Sequence, residues 1–400
     1  MCELTKIQRV NTIKIGFDIS QVSPGAAGCG AFANSLCSGL LEHFPRHEFT
    51  LFEDFGDFWY NEQKQIQKPF SGSSLSYGTT FQNRELCGKF WNDPELDDSL
   101  KEIDLIQSNN FWCPEQLIRP KLIYTLYDLG FMDHPEWTSE ENRLGCFEGV
   151  YRSSLYADFI VCISEFSRKR YLEYFPHFPE ERIGVVYPTS RFEKVTKHGN
   201  WPTALEGIRE KGFWLCVSTI EPRKNQLRLL DAYKRYLDES EVKLPLIYAG
   251  GKGWLMDDFI IKIRERGLEQ KIILTGYVSD EELVWLYQNC FGNLYPALYE
   301  GFGLPVLEGM QFGAPTACSN TTSLPEVAGE AGAQLDPIEE GLWTEFMLRL
   351  EKLPDYWQKL SRSGPIQAGK FTSVKSAREC HKFYEKVLTL KKRRCPAVVE

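Results

Sequence analysis

Read for apolar and polar positions, the chain is two successive runs of short strands alternating with helices. Alternation over Thr12–Ile19 predicts an opening strand, and the loop Ser23–Gly30 follows it. A helix pattern then starts at Ala31 and runs through Leu36, Leu40 and Leu41. Glu48–Glu53, Ile103–Gln107, Lys121–Tyr127, Ala157–Ser164 and Arg182–Tyr187 read as further strands. Ser164 is placed to cap a helix after the fourth of these. Strands alternating with helices in this way predict a parallel sheet covered on both faces.

A polar stretch from Thr189 to Glu206 separates this run from a second one. Phe213–Ser218, Leu244–Ala249, Lys271–Thr275, Phe291–Tyr295 and Ala314–Ser319 read as its strands. Helices are expected over Gln226–Leu237, from Glu281, over Pro305–Phe312, and at the end over Ser376–Leu390. The expected class is therefore α/β, with two doubly wound, Rossmann-like domains facing a cleft. Residues 1–195 and 205–375 would form the domains, and 376–400 a helix and basic tail packing back on the first. Ligands of such sheets bind outside the carboxyl ends of the strands, where nearly every polar motif of this chain falls.

Composition narrows the class. Apolar residues at 42% and charged residues at 25% suit a folded globular chain. A net charge of −9 argues against a general nucleic-acid binder. The twelve cysteines form no metal-spaced pairs, and several sit inside apolar runs, which reads as a reducing, cytoplasmic setting. No apolar leader follows Met1 and no window reaches the length of a membrane span. The basic run Lys391–Arg394 reads first as a solvated helix end. Its other reading is contact with an anionic membrane surface, which would make the protein peripheral to the inner membrane. The sequence leaves the oligomeric state open.

The densest chemistry lies in Pro296-Ala-Leu-Tyr-Glu300-Gly-Phe-Gly-Leu-Pro-Val-Leu-Glu308. A strand, a glycine turn and a helix N-terminus offer unpaired amides and a favourable dipole to an anion. Glu300 stands before that turn and Glu308 about one turn into the helix, which suits a phosphorylated sugar with a carboxylate for each set of hydroxyls. Arg223 and Lys224 follow the first strand of their domain, where they would neutralise a diphosphate. As two solvated cations they would oppose the helix dipole. Gly276-Tyr277-Val278 offers backbone groups to a planar base. Gly28-x-Gly30 precedes a helix, but Ala33 breaks the dinucleotide fingerprint GxGxxG, which disfavours a hydride-transferring enzyme. Asp128 ends a strand, to orient a sugar or to cap the next turn; His134 reads as a loop histidine. The aromatic stretch Phe55–Tyr60 and the pair Phe111-Trp112 read either as acceptor contacts or as interdomain packing.

Four of these elements together resemble the retaining glycosyltransferases of GT-B fold known as family 4, or glycosyl transferases group 1. They are Ser218-Thr-Ile-Glu-Pro-Arg-Lys-Asn225, Leu274-Thr-Gly-Tyr-Val-Ser-Asp280, the Glu300…Glu308 segment and Gly313-x-Pro315. The likeness covers nearly the whole chain, and Ser319–Ser323 with Pro325 and Glu326 resembles the family's loop after the last sheet strand. It implies a donor site in which Glu300 meets the sugar hydroxyls and Glu308 the ribose. Arg223, Lys224 and the amides of Phe302, Gly303 and Leu304 would hold the diphosphate. Gly276, Tyr277 and Val278 would line the base, and Gly28 and Gly30 would approach the phosphate. Tyr127 stands beside Asp128 where many members carry a histidine that touches the donor sugar.

The same likeness implies transfer with retention, no metal and no cofactor beyond the nucleotide-sugar donor. GDP-mannose is its first choice, and the acceptor would be a glycan or lipid-linked glycan of surface polysaccharide assembly, lipopolysaccharide included. A UDP- or dTDP-sugar donor stays open, as does a subunit that binds nucleotide-sugar with impaired catalysis, since Tyr127 replaces the histidine. A glycan phosphorylase would need a cofactor lysine that nothing here marks.

Overall fold

The computed structural model describes residues 12–23, 28–58, 68–93, 95–202, 205, 207–251 and 256–393. Residues 24–27 of the loop before the first helix, 59–60 of the aromatic stretch, 203–204 and 206 of the linker, 252–253 and all past 393, Arg394 included, lie outside the described residues.

Thirteen strands form two sheets among the described residues. The first contains β1 (Lys14–Asp18), β2 (Glu48–Phe52), β3 (Leu75–Tyr77), β4 (Leu105–Ser108), β5 (Lys121–Leu126), β6 (Phe159–Cys162) and β7 (Ile183–Val185). Its order is β3-β2-β1-β4-β5-β6-β7. The second contains β8 (Trp214–Val217), β9 (Leu246–Ala249), β10 (Ile272–Gly276), β11 (Gly292–Tyr295), β12 (Thr316–Ser319) and β13 (Ala333–Leu335), in the order β10-β9-β8-β11-β12-β13. Paired strands run parallel with strand order reversing between β1 and β4 and between β8 and β11, the places where doubly wound sheets open a crevice.

Burial on both faces accounts for the continuous apolar runs. In β8, Trp214 and Cys216 enter one core with Tyr233, Tyr236, Trp343 and Phe346. Leu215 and Val217, with Phe213 before them, enter the opposite core with Trp285, Leu286 and Tyr287. The period of two along the strand thus divides one apolar run between two helical layers. Sequence patterning misses only β3 and β13, three-residue strands at the sheet edges whose side chains are half-buried or exposed.

The chain divides into two compact units, 1–126 with 145–161 and 377–400, and 127–144 with 162–376. In the first, the closing helix Ser373–Thr389 contributes from Ala377 onward. Tyr384 donates to Gln107 Oε1 at 2.5 Å, and the His381 ring stacks on Phe44 at 4.0 Å. Two cations of the basic run, Lys392 and Arg393, are engaged directly after the closing helix, while Lys391 is exposed. Lys392 reaches the Pro120 carbonyl and pairs with the fully buried Asp158 at 2.9 Å. The Arg393 guanidinium donates to the carbonyls of Ser154 and Ala157. A buried carboxylate needs such partners, so these cations are committed to packing. The aromatics Phe55 and Trp112 are both buried in the first unit, edge to face at 5.4 Å and against Trp91. No helix among the described residues is long and apolar enough to cross a membrane.

Asp158 also accepts from the Leu122 and Arg393 amides. Asp158→Ala should therefore cost about 3 kcal/mol in the first unit by stranding its cations. Amide exchange across Lys121–Leu126 would speed up, while exchange across Trp214–Val217 would hold.

Candidate active site

Within the second unit the segment after β8 is wound tightly. Pro222–Lys224 makes a single 3-10 turn, and Asn225 takes a left-handed conformation at φ 59° before the helix Gln226–Glu239. Asparagine tolerates that conformation, and here its side-chain amide also donates to the carbonyls of Pro296 and Pro337 at 3.1 and 2.8 Å. Gln226 donates back to Ser218 Oγ and the Thr219 carbonyl. Leu298 N–H donates to the Arg223 carbonyl at 2.7 Å. The Pro-Arg-Lys-Asn segment and the turn after β11 are thereby locked to one another.

That lock presents both cations to Glu300. Lys224 is buried and donates to Glu300 Oε1 and to the Tyr295 hydroxyl, the latter at 3.0 Å. Tyr295 in turn donates to Glu300 Oε1 at 2.6 Å. Arg223 Nη1 lies 3.2 Å from Glu300 Oε2, and its Nε lies 2.9 Å from Glu221 Oε1. Burial would raise the Glu300 pKa, but Lys224 and then Arg223 outweigh it and hold the carboxyl at about 2. Burial, reinforced by the adjacent guanidinium, pulls Lys224 below the ordinary lysine value against the attraction of Glu300. The two cations are therefore not solvated. They form a compact box with Glu300 and Glu221, and Arg223 keeps an exposed edge.

The turn carrying Glu300 is shaped by two glycines. A Cβ on Gly301 would stand 2.5 Å from the Tyr127 carbonyl oxygen and 3.0 Å from Asp128 Cβ, so only glycine lets the turn close on the end of β5. Gly303 has φ 111° and caps the helix Leu304–Gln311, with Leu324 filling the space a side chain would need. From the far side Thr321 and Ser323 donate to the carbonyls of Leu298, Glu300 and Phe302, and Thr322 Oγ1 accepts from Glu300 N–H. Thr322 has φ 58°, an uncommon conformation for a β-branched residue, held by its surroundings. Among the described residues none accepts from the N–H groups of Phe302, Gly303 or Leu304.

Asp128 comes to the same place. Its Oδ1 accepts from Gly130 N–H at 2.9 Å, so it caps the turn after β5 while lying beside the box. Burial raises its pKa, and Arg223 opposes the rise. Tyr127 is buried, with its carbonyl accepting from Ser167 Oγ. Next along the chain, Asp133 accepts from Tyr299 at 2.9 Å and from Arg170 and Tyr174, which ties the segment after Asp128 to the residue before Glu300.

Glu308 is set apart from this box. On the helix Leu304–Gln311 it is 1% exposed; its Oε1 accepts from Arg191 Nε and its Oε2 from the Tyr287 hydroxyl, each at 3.1 Å. Burial raises its pKa, with Arg191 pulling the other way. Gly276, Tyr277 and Val278 close β10. Tyr277 is exposed, Val278 packs on the core, and Ser279 with Glu282 forms a capping box on the helix Asp280–Asn289 that carries Tyr287. Gly28 and Gly30 belong to the first unit, at the start of the helix Cys29–His43.

The second unit thus brings Tyr127, Asp128, Arg223, Lys224 and Glu300 together, with the Phe302–Leu304 amides beside them. Sequence reading passed over Glu221, Tyr295, Asp133, Tyr299, Thr322 and above all Arg191. Glu221 was within a quoted motif and Tyr295 within a predicted strand. Arg191 sits in the polar linker with no spacing to mark it.

Two outcomes follow from the box. Gly301→Ala should cost about 2 kcal/mol or more through the Tyr127 contact and reduce turnover at least as strongly as it reduces stability, checked by melting and by activity of the remaining folded fraction. Glu300, held at about 2 from an ordinary 4.5, contributes stability in full above pH 4.5 and loses it as pH falls towards 2. Glu300→Gln should therefore flatten the melting-temperature profile across that window, and an unchanged slope would count against the pairing.

Residues 204–361 match the family model described as Glycosyl transferases group 1. The chain is 33% identical over 271 residues to the O-antigen chain mannosyltransferase B of Escherichia coli, which covers 66% of this chain and 69% of that protein. It is 29% identical over 228 residues to a serotype-specific mannosyltransferase WbdA of Escherichia coli, covering 55% of this chain but only 28% of that longer protein. Among solved structures, Anabaena Alr3699/HepE in complex with UDP and glucose aligns at a TM-score of 0.64 and 16% identity, over 94% of this chain and 100% of that one. At that identity the likeness is one of fold.

Proposed function

Because the chain belongs to the glycosyl transferases group 1 family, with the GT-B fold and a hexosyltransferase's activity, we propose that it transfers mannose from GDP-mannose to a glycan or lipid-linked glycan acceptor, with retention, in surface polysaccharide assembly. Mannosyltransferase relatives support the sugar and the pathway class. The observation that carries the chemistry is the Glu300–Lys224–Arg223 box standing beside the Phe302–Leu304 amides.

In this reading the donor diphosphate sits on those amides at the positive end of the helix Leu304–Gln311, within reach of Arg223 and Lys224. The cations are already fixed by Glu300 and Glu221, so little reorganisation accompanies charge development on the leaving phosphate. Each such preorganised donor contributes about 3–4 kcal/mol. Glu300 orients the sugar hydroxyls, and Asp128 with Tyr127 lies on the sugar's side. Glu308 meets the ribose and Gly276–Val278 the base.

A glycosidase-like acid and nucleophile pair does not suit these carboxylates. Glu300 is held ionised at about 2 and so cannot serve as a general acid near neutrality, while Glu308 is enclosed by Arg191 and Tyr287. Retention would instead rely on leaving-group stabilisation and on orientation of the acceptor, which this reading assigns to the first, Rossmann-like domain.

The test is a thermal-shift panel of GDP-, UDP-, dTDP- and ADP-sugars followed by a transfer assay with the stabilising donor. GDP-mannose should raise the melting temperature most and be consumed. Selective binding without turnover would instead identify a binding subunit. Arg223→Ala is expected to lower kcat by about 100-fold or more per folded molecule, beyond the stability lost by leaving Glu300 with Lys224 as its cation. Near-native turnover in that variant would remove the phosphate role.

A further inference from the structure

Among the described residues, Arg191 is the charged side chain from the polar segment ahead of β8 that touches Glu308. Its guanidinium spans two elements. Nε lies 3.1 Å from Glu308 Oε1 on the helix Leu304–Gln311, and Nη1 lies 3.1 Å from Asp280 Oδ1 at the start of the helix Asp280–Asn289. The latter helix directly follows Gly276–Val278, and its Tyr287 donates to the other oxygen of Glu308. Phe192 supports the guanidinium from below at 4.8 Å. Only a planar, multi-donor cation can serve both carboxylates from one position.

From this bridge we infer that Arg191 is a positioning residue for the nucleoside half of the donor, holding the Glu308 carboxylate and the helix behind the Gly276–Val278 turn in one fixed arrangement. The inference rests on the reading of Glu308 as the ribose contact and adds the group that makes that contact usable. An ionised carboxylate accepts charge-assisted hydrogen bonds from ribose hydroxyls and is the stronger partner for them. Glu308 is almost wholly buried, and the groups facing it are Arg191, Tyr287 and Asp280. Tyr287 stays protonated, since burial lifts its pKa well above the ordinary tyrosine value, and Asp280 repels a second negative charge. Arg191 is therefore the cation that favours the charged form of Glu308. Without it only the Tyr287 hydrogen bond opposes burial, and the carboxyl takes up a proton at higher pH.

The sign of the consequence is definite. A raised pKa leaves Glu308 neutral at low pH and ionised again at high pH, so loss of Arg191 should weaken nucleotide binding most in acid and least in alkali. The experiment is calorimetric titration of GDP, or of UDP where that binds the wild type more tightly, from pH 6 to 9. Each variant is compared with wild type at the same pH, which cancels the nucleotide's own titration. Arg191→Met should bind about 10-fold or more weakly at pH 6, with the gap closing by pH 9, and Arg191→Lys should remove most of the pH dependence. Asp280→Asn, at an exposed position, cuts one arm of the bridge and also removes a charge that disfavours ionised Glu308, so its small loss of binding should be least in acid, the reverse of Arg191→Met. A uniform loss in Arg191→Met, or none, would overturn the inference. Glu308→Gln separates the two levels: unchanged nucleotide affinity there removes the ribose reading itself, whereas weakened affinity beside a wild-type-like Arg191→Met removes only the role of Arg191. Should Arg191→Met fail to fold, Arg191→Lys and Asp280→Asn still decide, since an Asp280→Asn loss that is greatest in acid would contradict the assignment of charge to Arg191.

Discussion

The second unit is organised around a single electrostatic necessity, the burial of an ionised carboxylate at Glu300. A charge taken out of water is tolerated only with a counter-charge and with its lone pairs occupied. Lys224, Arg223 and Tyr295 meet that demand together. Much of the surrounding backbone can be read as scaffolding for it. The 3-10 turn and the left-handed Asn225 aim the cations, while Thr322 accepts a strained conformation to receive the Glu300 amide. The arrangement leaves the helix N-terminus beside it with amide donors to offer.

The two glutamates of the motif, eight positions apart, live in different electrostatic settings despite equal burial class. Glu300 has two cations and is driven strongly to its ionised form, whereas Glu308 has one cation, a phenol and a nearby aspartate, and burial wins. A pair that looks symmetrical in sequence is thus asymmetrical in acid–base character. One member is a fixed charge and the other depends on a residue more than a hundred positions away.

Much of the fold was legible because buried parallel strands leave unbroken apolar runs. Trp214–Val217 and Leu246–Ala249 could hardly be read otherwise. The edge strands Leu75–Tyr77 and Ala333–Leu335 escaped because an edge needs neither length nor apolarity on both faces. The box was half legible: Arg223, Lys224 and Glu300 announce themselves as charges at strand ends. That the cations answer the carboxylate directly is a fact of tertiary structure, set by turns such as Asn225. Arg191 was illegible in principle, since a lone arginine in a polar linker carries no periodicity and gains meaning only from the two helices it spans. Lys392 and Arg393 teach the converse. Charges that read as solvated are drawn to buried acceptors, Lys392 to Asp158 and the Arg393 guanidinium to the Ser154 and Ala157 carbonyls.

Gly301 rests against the main chain of Tyr127 and not against its ring. The closeness of the two segments is therefore set by atoms that every amino acid shares. The fit of the glutamate turn runs through the main chain at 127, and a side chain added at 301 would part the two segments whatever residue stood opposite.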